Sequence, residues 1–208
     1  MTGRRLPLGD GAFVAPGYLP PDAQAALLDE LREALTLAPL FTPAMPRTGK
    51  PFSVRMSNLG PLGWVSDAAG GYRYQPTHPV TGRPWPPIPA TLLEAWDDLG
   101  SCAAPPEACL INWYAPDARM GLHQDRDERD LGAAVVSLSL GDAALFRIGG
   151  LKRSDPTRSF RLSSGDAMAF GGPSRLVFHG VDRIYPGTSS LLPKGGRINL
   201  TLRRVSAP

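Results

Sequence analysis

The stretch Arg197-Ile198-Asn199-Leu200-Thr201-Leu202-Arg203-Arg204 alternates polar and apolar side chains without a break from Arg197 to Arg203. Successive side chains of a strand point to opposite faces. Arg197, Asn199, Thr201 and Arg203 therefore share one face, and Ile198, Leu200 and Leu202 the other. The apolar face predicts a strand lying on a core. The polar face has two readings: an edge strand turned to solvent, or two guanidinium groups flanking an amide and ready for a dicarboxylate. Arginine forms bidentate pairs with carboxylates that lysine does not match.

Upstream, the same character repeats in short segments. Candidate strands are Cys109–Tyr114, Ala133–Leu140, Ala144–Ile148, Ser159–Leu162, Ala167–Phe170 and Leu176–Phe178. Turn signals separate them, among them Ala115-Pro116-Asp117, Gly141-Asp142, Ser164-Gly165-Asp166 and Gly171-Gly172-Pro173. Many short strands with such punctuation predict a mainly β (α+β) fold, a sandwich or jelly roll. Asn112 and Tyr114 share a face in the first of these strands.

The N-terminal half differs. Pro20-Pro21-Asp22 opens a helix running to about Leu37, with Leu27, Leu28, Leu31 and Leu35 on one face. A second helix spans Pro89 to Leu99, with Leu92, Leu93 and Trp96 as its stripe and Gly100 as its cap. Residues 39–88 between them are rich in Gly, Pro and aromatics. They read as short strands and loops of the kind that cover a binding site.

The chain has 208 residues, 42% hydrophobic and 20% charged, enough for one domain spanning 1–208 with a sizeable core. Cys102 and Cys109 lack a metal-type spacing. No secretory leader or membrane span is evident, so a cytoplasmic location is expected. Net charge is +3, and the excess is uneven. Residues 1–104 carry 8 Lys/Arg against 9 Asp/Glu, and residues 105–208 carry 14 against 10. The second half thus leans towards an anionic partner, though ordinary solvated charge gives the same count.

That half also holds Gly121-Leu122-His123-Gln124-Asp125-Arg126-Asp127. In an extended segment His123 and Asp125 point the same way, so an imidazole and a carboxylate can converge on one metal ion. The chain has three histidines. His78, in Pro76-Thr77-His78-Pro79, reads as a loop residue. His179 completes two histidines and one carboxylate, the facial set of non-haem iron(II) oxygenases. Taken alone, His179 fits a core or surface histidine better than a ligand. With the two-arginine strand, the pattern describes a metal plus a dicarboxylic co-substrate.

These residues assembled, the sequence resembles the AlkB family of iron(II)- and 2-oxoglutarate-dependent nucleic-acid dealkylation dioxygenases. The likeness covers about residues 50 to 204. It is carried by Leu110-Ile111-Asn112-Trp113-Tyr114, Leu122-His123-Gln124-Asp125-Arg126-Asp127-Glu128, Gly149-Gly150-Leu151-Lys152-Arg153, His179-Gly180 and the final strand. Leu62-Gly63-Trp64 and Gly71-Tyr72-Arg73-Tyr74 carry it in the N-terminal part. Trp113 and Leu59 depart from the family pattern and bear on substrate preference.

The resemblance implies a double-stranded β-helix jelly roll (core 109–204) with flanking N-terminal helices and a nucleotide-recognition lid over 39–88. It implies iron(II) held by His123, Asp125 and His179, with dioxygen as oxidant. It implies 2-oxoglutarate held by Asn112, Tyr114, Arg197, Asn199 and Arg203. Trp64, Tyr72, Arg73, Tyr74, Asp127 and Arg153 would surround the substrate base, with Trp64 and Tyr72 stacked on it. The implied activity is oxidative demethylation of 1-methyladenine- and 3-methylcytosine-type bases by a monomer. The implied partner is single-stranded DNA, with duplex DNA and RNA as open alternatives. An oxygenase of proteins or metabolites would share the metal and co-substrate residues but not the lid aromatics. A non-enzymatic jelly-roll metal protein would need no two-arginine strand.

Overall fold

The computed structural model describes residues 4–207 and folds the alternating segments into two antiparallel sheets that share a core. In chain order the strands are β1 (Leu6–Gly9), β2 (Ala12–Ala15), β3 (Val54–Leu59), β4 (Gly63–Asp67), β5 (Gly71–Gln75), β6 (Ala108–Tyr114), β7 (Met120–His123), β8 (Val135–Gly141), β9 (Ala143–Ile148), β10 (Arg158–Leu162), β11 (Ala167–Phe170), β12 (His179–Tyr185) and β13 (Arg197–Arg203). The helices are α1 (Pro21–Leu37) and α2 (Ala90–Leu99). The large sheet runs β1-β2-β11-β8-β13-β6-β3, and the small one β10-β9-β12-β7. The hairpin β4–β5 pairs only with itself.

Strand β13 lies in the interior of the large sheet, bonded to β8 on one side and β6 on the other. It is not an edge, and its polar face is not solvated. Ile198, Leu200 and Leu202 pack outward with Leu27, Leu31, Leu92 and Trp96 of the helices. Arg197, Asn199, Thr201 and Arg203 consequently point between the two sheets. Alternation on β6 and β8 does the same: Ile111 and Leu138 join the helices, while Asn112, Tyr114, Ser137 and Ser139 turn inward. The space between the sheets is therefore polar on one wall. Phe146, Ile148, Val181 and Ile184 of the small sheet make the other wall apolar.

Several sequence expectations shift. Leu176–Phe178 is not a strand. A 3-10 turn at Gly172–Ser174, extended by the Val177 N–H donating to Ser174, delays the extended backbone until His179. The true strand, β12, was hidden because its register slips between Val181 and Arg183, which breaks the period of two. The hairpin β1–β2 was not foreseen. On α2, Leu93 is exposed, and Ala95 and Leu99 complete the buried stripe with Leu92 and Trp96. Gly100 does cap α2, but at φ −76°, so no left-handed turn demands it. A Cβ there would sit 2.6 Å from the Trp96 carbonyl oxygen, and that close approach is the constraint.

Within 39–88, β3 is an edge strand of the large sheet, while β4–β5 stands apart from both sheets. His78 is buried. Its Nε2 lies 2.8 Å from the Pro39 carbonyl, and its Nδ1 accepts from the Val80 and Thr81 N–H groups. This histidine staples the loop. No helix among the described residues is long and apolar enough to cross a membrane.

Leu200 is fully buried at the seam between β13 and the helices. Leu200→Ala is expected to lower unfolding free energy by about 2–5 kcal/mol in denaturant titrations. A loss below about 1 kcal/mol would mean that this seam is not the core.

Candidate active site

Strand pairing brings the two distant histidines together. His123 ends β7, His179 begins β12, and they are Cα partners in the antiparallel ladder, with ring centroids 4.5 Å apart. Gly180 permits the approach: a Cβ there would lie 2.6 Å from the Met120 carbonyl oxygen. Asp125 follows two residues after His123, and its oxygens lie 3.7 Å from His123 Nε2 and 3.9 Å from His179 Nε2. One ligand atom from each residue falls within 4.8 Å of the others.

The imidazoles are oriented for ligation. His123 Nδ1 lies 3.0 Å from the Gly121 carbonyl, and His179 Nδ1 lies 3.1 Å from the Val177 carbonyl. A carbonyl only accepts, so each Nδ1 carries the proton and each Nε2 offers a lone pair towards Asp125. Burial, reinforced by His123, pulls the His179 pKa down to about 4, so the ring stays neutral at physiological pH. For Asp125 burial works the other way. The guanidinium of Arg203 and the two imidazoles outweigh it and hold the carboxyl well below the usual range.

Arg203 donates to Asp125 Oδ2 at 2.8 Å and also lies against Glu128 and the Tyr74 hydroxyl. Arg197 is different. It is 1% exposed and bonds only neutral oxygens: Ser139 Oγ and the carbonyls of Asp142 and Leu162. Its Nε has no partner, nor has Asn112 Oδ1. Burial draws the Arg197 pKa down to about 10. A buried cation without a counter-charge is costly, and an anionic ligand relieves that cost. Asn112, Tyr114, Arg197, Asn199 and Arg203 line a single cavity of about 690 Å³ that also contains the His-Asp-His cluster. Asn199 already accepts from Ser137 and donates to Thr201, so it arrives held in place. Donors, an orphaned guanidinium nitrogen and two imidazoles with Nε2 turned towards Asp125 fit a dicarboxylate bound beside a metal.

The expected lid residues divide. Trp64 and Tyr72 stand at the cavity mouth, stacked at 5.6 Å with an interplanar angle of 21°. Trp64 Nε1 donates to Asp127 Oδ2 at 2.8 Å, so Asp127 braces the aromatic pair. Arg153 lines the same mouth, over the ring of Phe178. Arg73 does not reach the cavity. It alternates to the other face of β5 from Tyr72 and pairs with Asp67 at 2.8 Å. Tyr74 is turned inward, and its hydroxyl meets Glu128 Oε1. Phe146 stacks against His179, so that imidazole face is covered.

Glu128 and Arg175 escaped the sequence reading. Glu128 lies in the charged run Arg126–Asp130, which looked solvated. In the fold both Glu128 and Asp130 are buried. Arg175 donates to the carbonyls of Ala133 and Asp125 and pairs with Glu128 Oε2 at 3.0 Å, shaping the loop that carries the ligand. No local period marks Glu128, since residues 124–130 form neither helix nor strand.

This geometry has close relatives. The 2OG-Fe(II) oxygenase superfamily matches over residues 11–203. An alpha-ketoglutarate-dependent dioxygenase AlkB homolog of Caulobacter vibrioides is 56% identical, covering 99% of this chain and 92% of its own. The chain belongs to the AlkB family. The alpha-ketoglutarate-dependent dioxygenase AlkB of Escherichia coli is 39% identical over 96% of this chain and 92% of its own. The solved structure of OsALKBH1 superimposes with a TM-score of 0.79 at 33% identity, covering 97% of this chain and all of that one. This AlkB-family chain is thus an iron(II)- and 2-oxoglutarate-dependent dioxygenase with a jelly-roll fold.

His123→Ala is expected to abolish turnover and lower iron(II) affinity at least about 10-fold, because a ligand is lost while a third-exposed side chain costs little stability. Anaerobic calorimetry with iron(II), together with a thermal melt, checks both. Full activity would refute the ligand set. Arg197→Lys is expected to raise the KM for 2-oxoglutarate by about 10-fold or more, since an ammonium does not reproduce the planar fork. An unchanged KM would remove Arg197 from the co-substrate site.

Proposed function

We propose that this chain repairs alkylated nucleic acid by oxidative demethylation. It removes N-methyl groups of the 1-methyladenine and 3-methylcytosine type from DNA, with formaldehyde, succinate and carbon dioxide as products. Its partner in this reading is alkylated single-stranded DNA, with duplex DNA and RNA within reach of the same chemistry. The protein acts as a monomer in the cytoplasm, folded as one domain. The observation that carries this reading is the stacked Trp64–Tyr72 pair at the mouth of the cavity that holds the His-Asp-His cluster.

In this reading His123, Asp125 and His179 hold iron(II). Arg197, Asn112, Tyr114, Asn199 and Arg203 hold 2-oxoglutarate. Bound iron, with 2-oxoglutarate and dioxygen, supplies the oxidation of the methyl carbon that ends in loss of formaldehyde. The chain's own residues do the rest. Arg203 keeps Asp125 ionised and aimed. The apolar side chains of Phe146, Val181, Met168 and Phe170 that line the cavity keep water from the reacting carbon.

A methyl on the pairing edge of a base is hidden in a duplex, so the base must leave the stack. An aromatic face at the mouth receives it, worth about 1–3 kcal/mol per stacked base. Asp127 places a carboxylate beside that face, which suits the positive charge of a 1-methyladenine or 3-methylcytosine ring and its exocyclic amine. Arg153 meets the flanking phosphate or the base edge. Arg73 and Tyr74 serve the hairpin rather than the base: Arg73 tethers the β4–β5 turn through Asp67, and Tyr74 anchors the hairpin to Glu128. Burial raises the Tyr74 pKa far above its ordinary value, so its hydroxyl remains a donor.

The test is incubation of the protein with iron(II), 2-oxoglutarate and a 1-methyladenine or 3-methylcytosine oligonucleotide. Formaldehyde release, lost on chelation of the metal, is the expected result. Succinate formation without formaldehyde from any methylated oligonucleotide would overturn the substrate assignment. Trp64→Ala is expected to raise the KM for the oligonucleotide by about 10-fold while substrate-free succinate formation stays near wild type. Equal losses in both would make Trp64 a packing residue.

A further inference from the structure

The small sheet has a second face, turned away from the cavity. Leu145 of β9 is flanked in register by Arg161 of β10 and Arg183 of β12, and Arg147 is flanked by Ser159 and Gly180. Phe146, Ile148, Phe160, Val181 and Ile184 point the other way, into the core. Arg147, Arg161 and Arg183 therefore share the outer face. Strand spacing puts Arg161 and Arg183 about 10 Å apart, with Arg147 one pleat period, about 7 Å, closer to the cavity.

Arg161 and Arg183 are exposed. Neither forms an ion pair among the described residues. The Arg161 guanidinium carbon lies 5.3 Å from the centre of the Tyr185 ring, which keeps that cation beside the sheet. Asp182 is taken up by Arg147. Two uncompensated cations remain, and the strand between them leads towards the site. β9 runs from Leu145 through Arg147 to the Gly149–Gly150 turn, and that loop carries Lys152 and then Arg153 at the cavity mouth.

We propose that this outer face of the small sheet is a docking track for the phosphate backbone of the substrate strand, followed outward from the cavity past Arg153. The proposal rests on the nucleic-acid reading above and adds where the strand runs. A polynucleotide whose base enters the cavity must leave the mouth in some direction. The path past Arg153 meets cations spaced along a flat sheet, without a deep apolar pocket. Such a surface neutralises phosphates and carries no sequence information. An acidic protein would need an anchoring pocket to bind tightly, and the half-buried Leu145 and Tyr185 do not make one.

The experiment compares wild type with the double variant Arg161→Gln/Arg183→Gln and its charge-reversed form, Arg161→Glu/Arg183→Glu. Each is given a methylated trinucleotide and a methylated single strand of about 20 nucleotides. On the trinucleotide, kcat/KM is expected to stay within about twofold of wild type, because the track is not reached. On the long strand, the charge-reversed variant is expected to lose about tenfold or more. For the glutamine variant, the slope of log affinity against log salt should become shallower by about 1.4, the loss of two single-strand phosphate contacts. Equal losses on both lengths, or none on either, would overturn the track.

Anisotropy with an unmodified strand of the longer length provides an arm independent of turnover. Weaker binding by both variants supports the track even where no demethylation is seen, an outcome that would instead count against the activity. Unchanged affinity overturns the track, whether the face is then ordinary solvated surface or serves an acidic protein. A thermal melt within about 2 °C of wild type shows that the exposed substitutions leave the fold intact.

Discussion

The ion pair between Arg203 and Asp125 is the contact on which the site depends. Asp125 is buried, and there an isolated carboxylate would take up a proton and cease to be a useful ligand. Arg203 prevents that at 2.8 Å and is itself balanced by Glu128, which Arg175 holds from the far side. The charges sit on β13, on the loop after β7 and beside the 3-10 turn at Gly172–Ser174. Each segment is thereby fixed relative to the others. The hairpin joins the network through Tyr74, and Trp64 joins the next residue of the loop through Asp127. The surface that would meet a base is thus one side chain away from the ligand-bearing backbone.

Arg197 shows the complementary arrangement. It is as buried as Arg203 but bonds only neutral oxygens. One arginine of β13 has anionic partners built into the protein, and the other has none among the described residues. The two guanidinium groups look alike in the sequence. Their difference arises from neighbours on β8 and on the 125–128 loop, which contribute a serine in one case and two carboxylates in the other.

The residues that could be read in advance are those where a local period met a demanding chemistry. The alternation of β13 is visible in the chain, as are the two-residue spacing of His123 and Asp125 and the apolar stripes of α1 and α2. The position of β13 inside the sheet is not, because a polar face looks the same whether it meets water or a polar cavity. β12 was missed because its slipped register erases the alternation. Glu128 and Arg175 were missed because a buried ion pair has no sequence signature when its partners lie 47 residues apart. Tyr72 and Tyr74 share a face of β5, yet one reaches the mouth and the other the charge network, a division that only the docking of the hairpin decides.

The two histidines are bonded neighbours in a ladder, one at the end of β7 and one at the start of β12, with Gly180 clearing the space between the strands. A cation held by both would act as a removable rivet through the short edge of the small sheet. Its binding energy would favour the folded chain over the unfolded one in proportion to the logarithm of free iron. The occupancy of that position would then set the stability of the folded chain as well as its turnover.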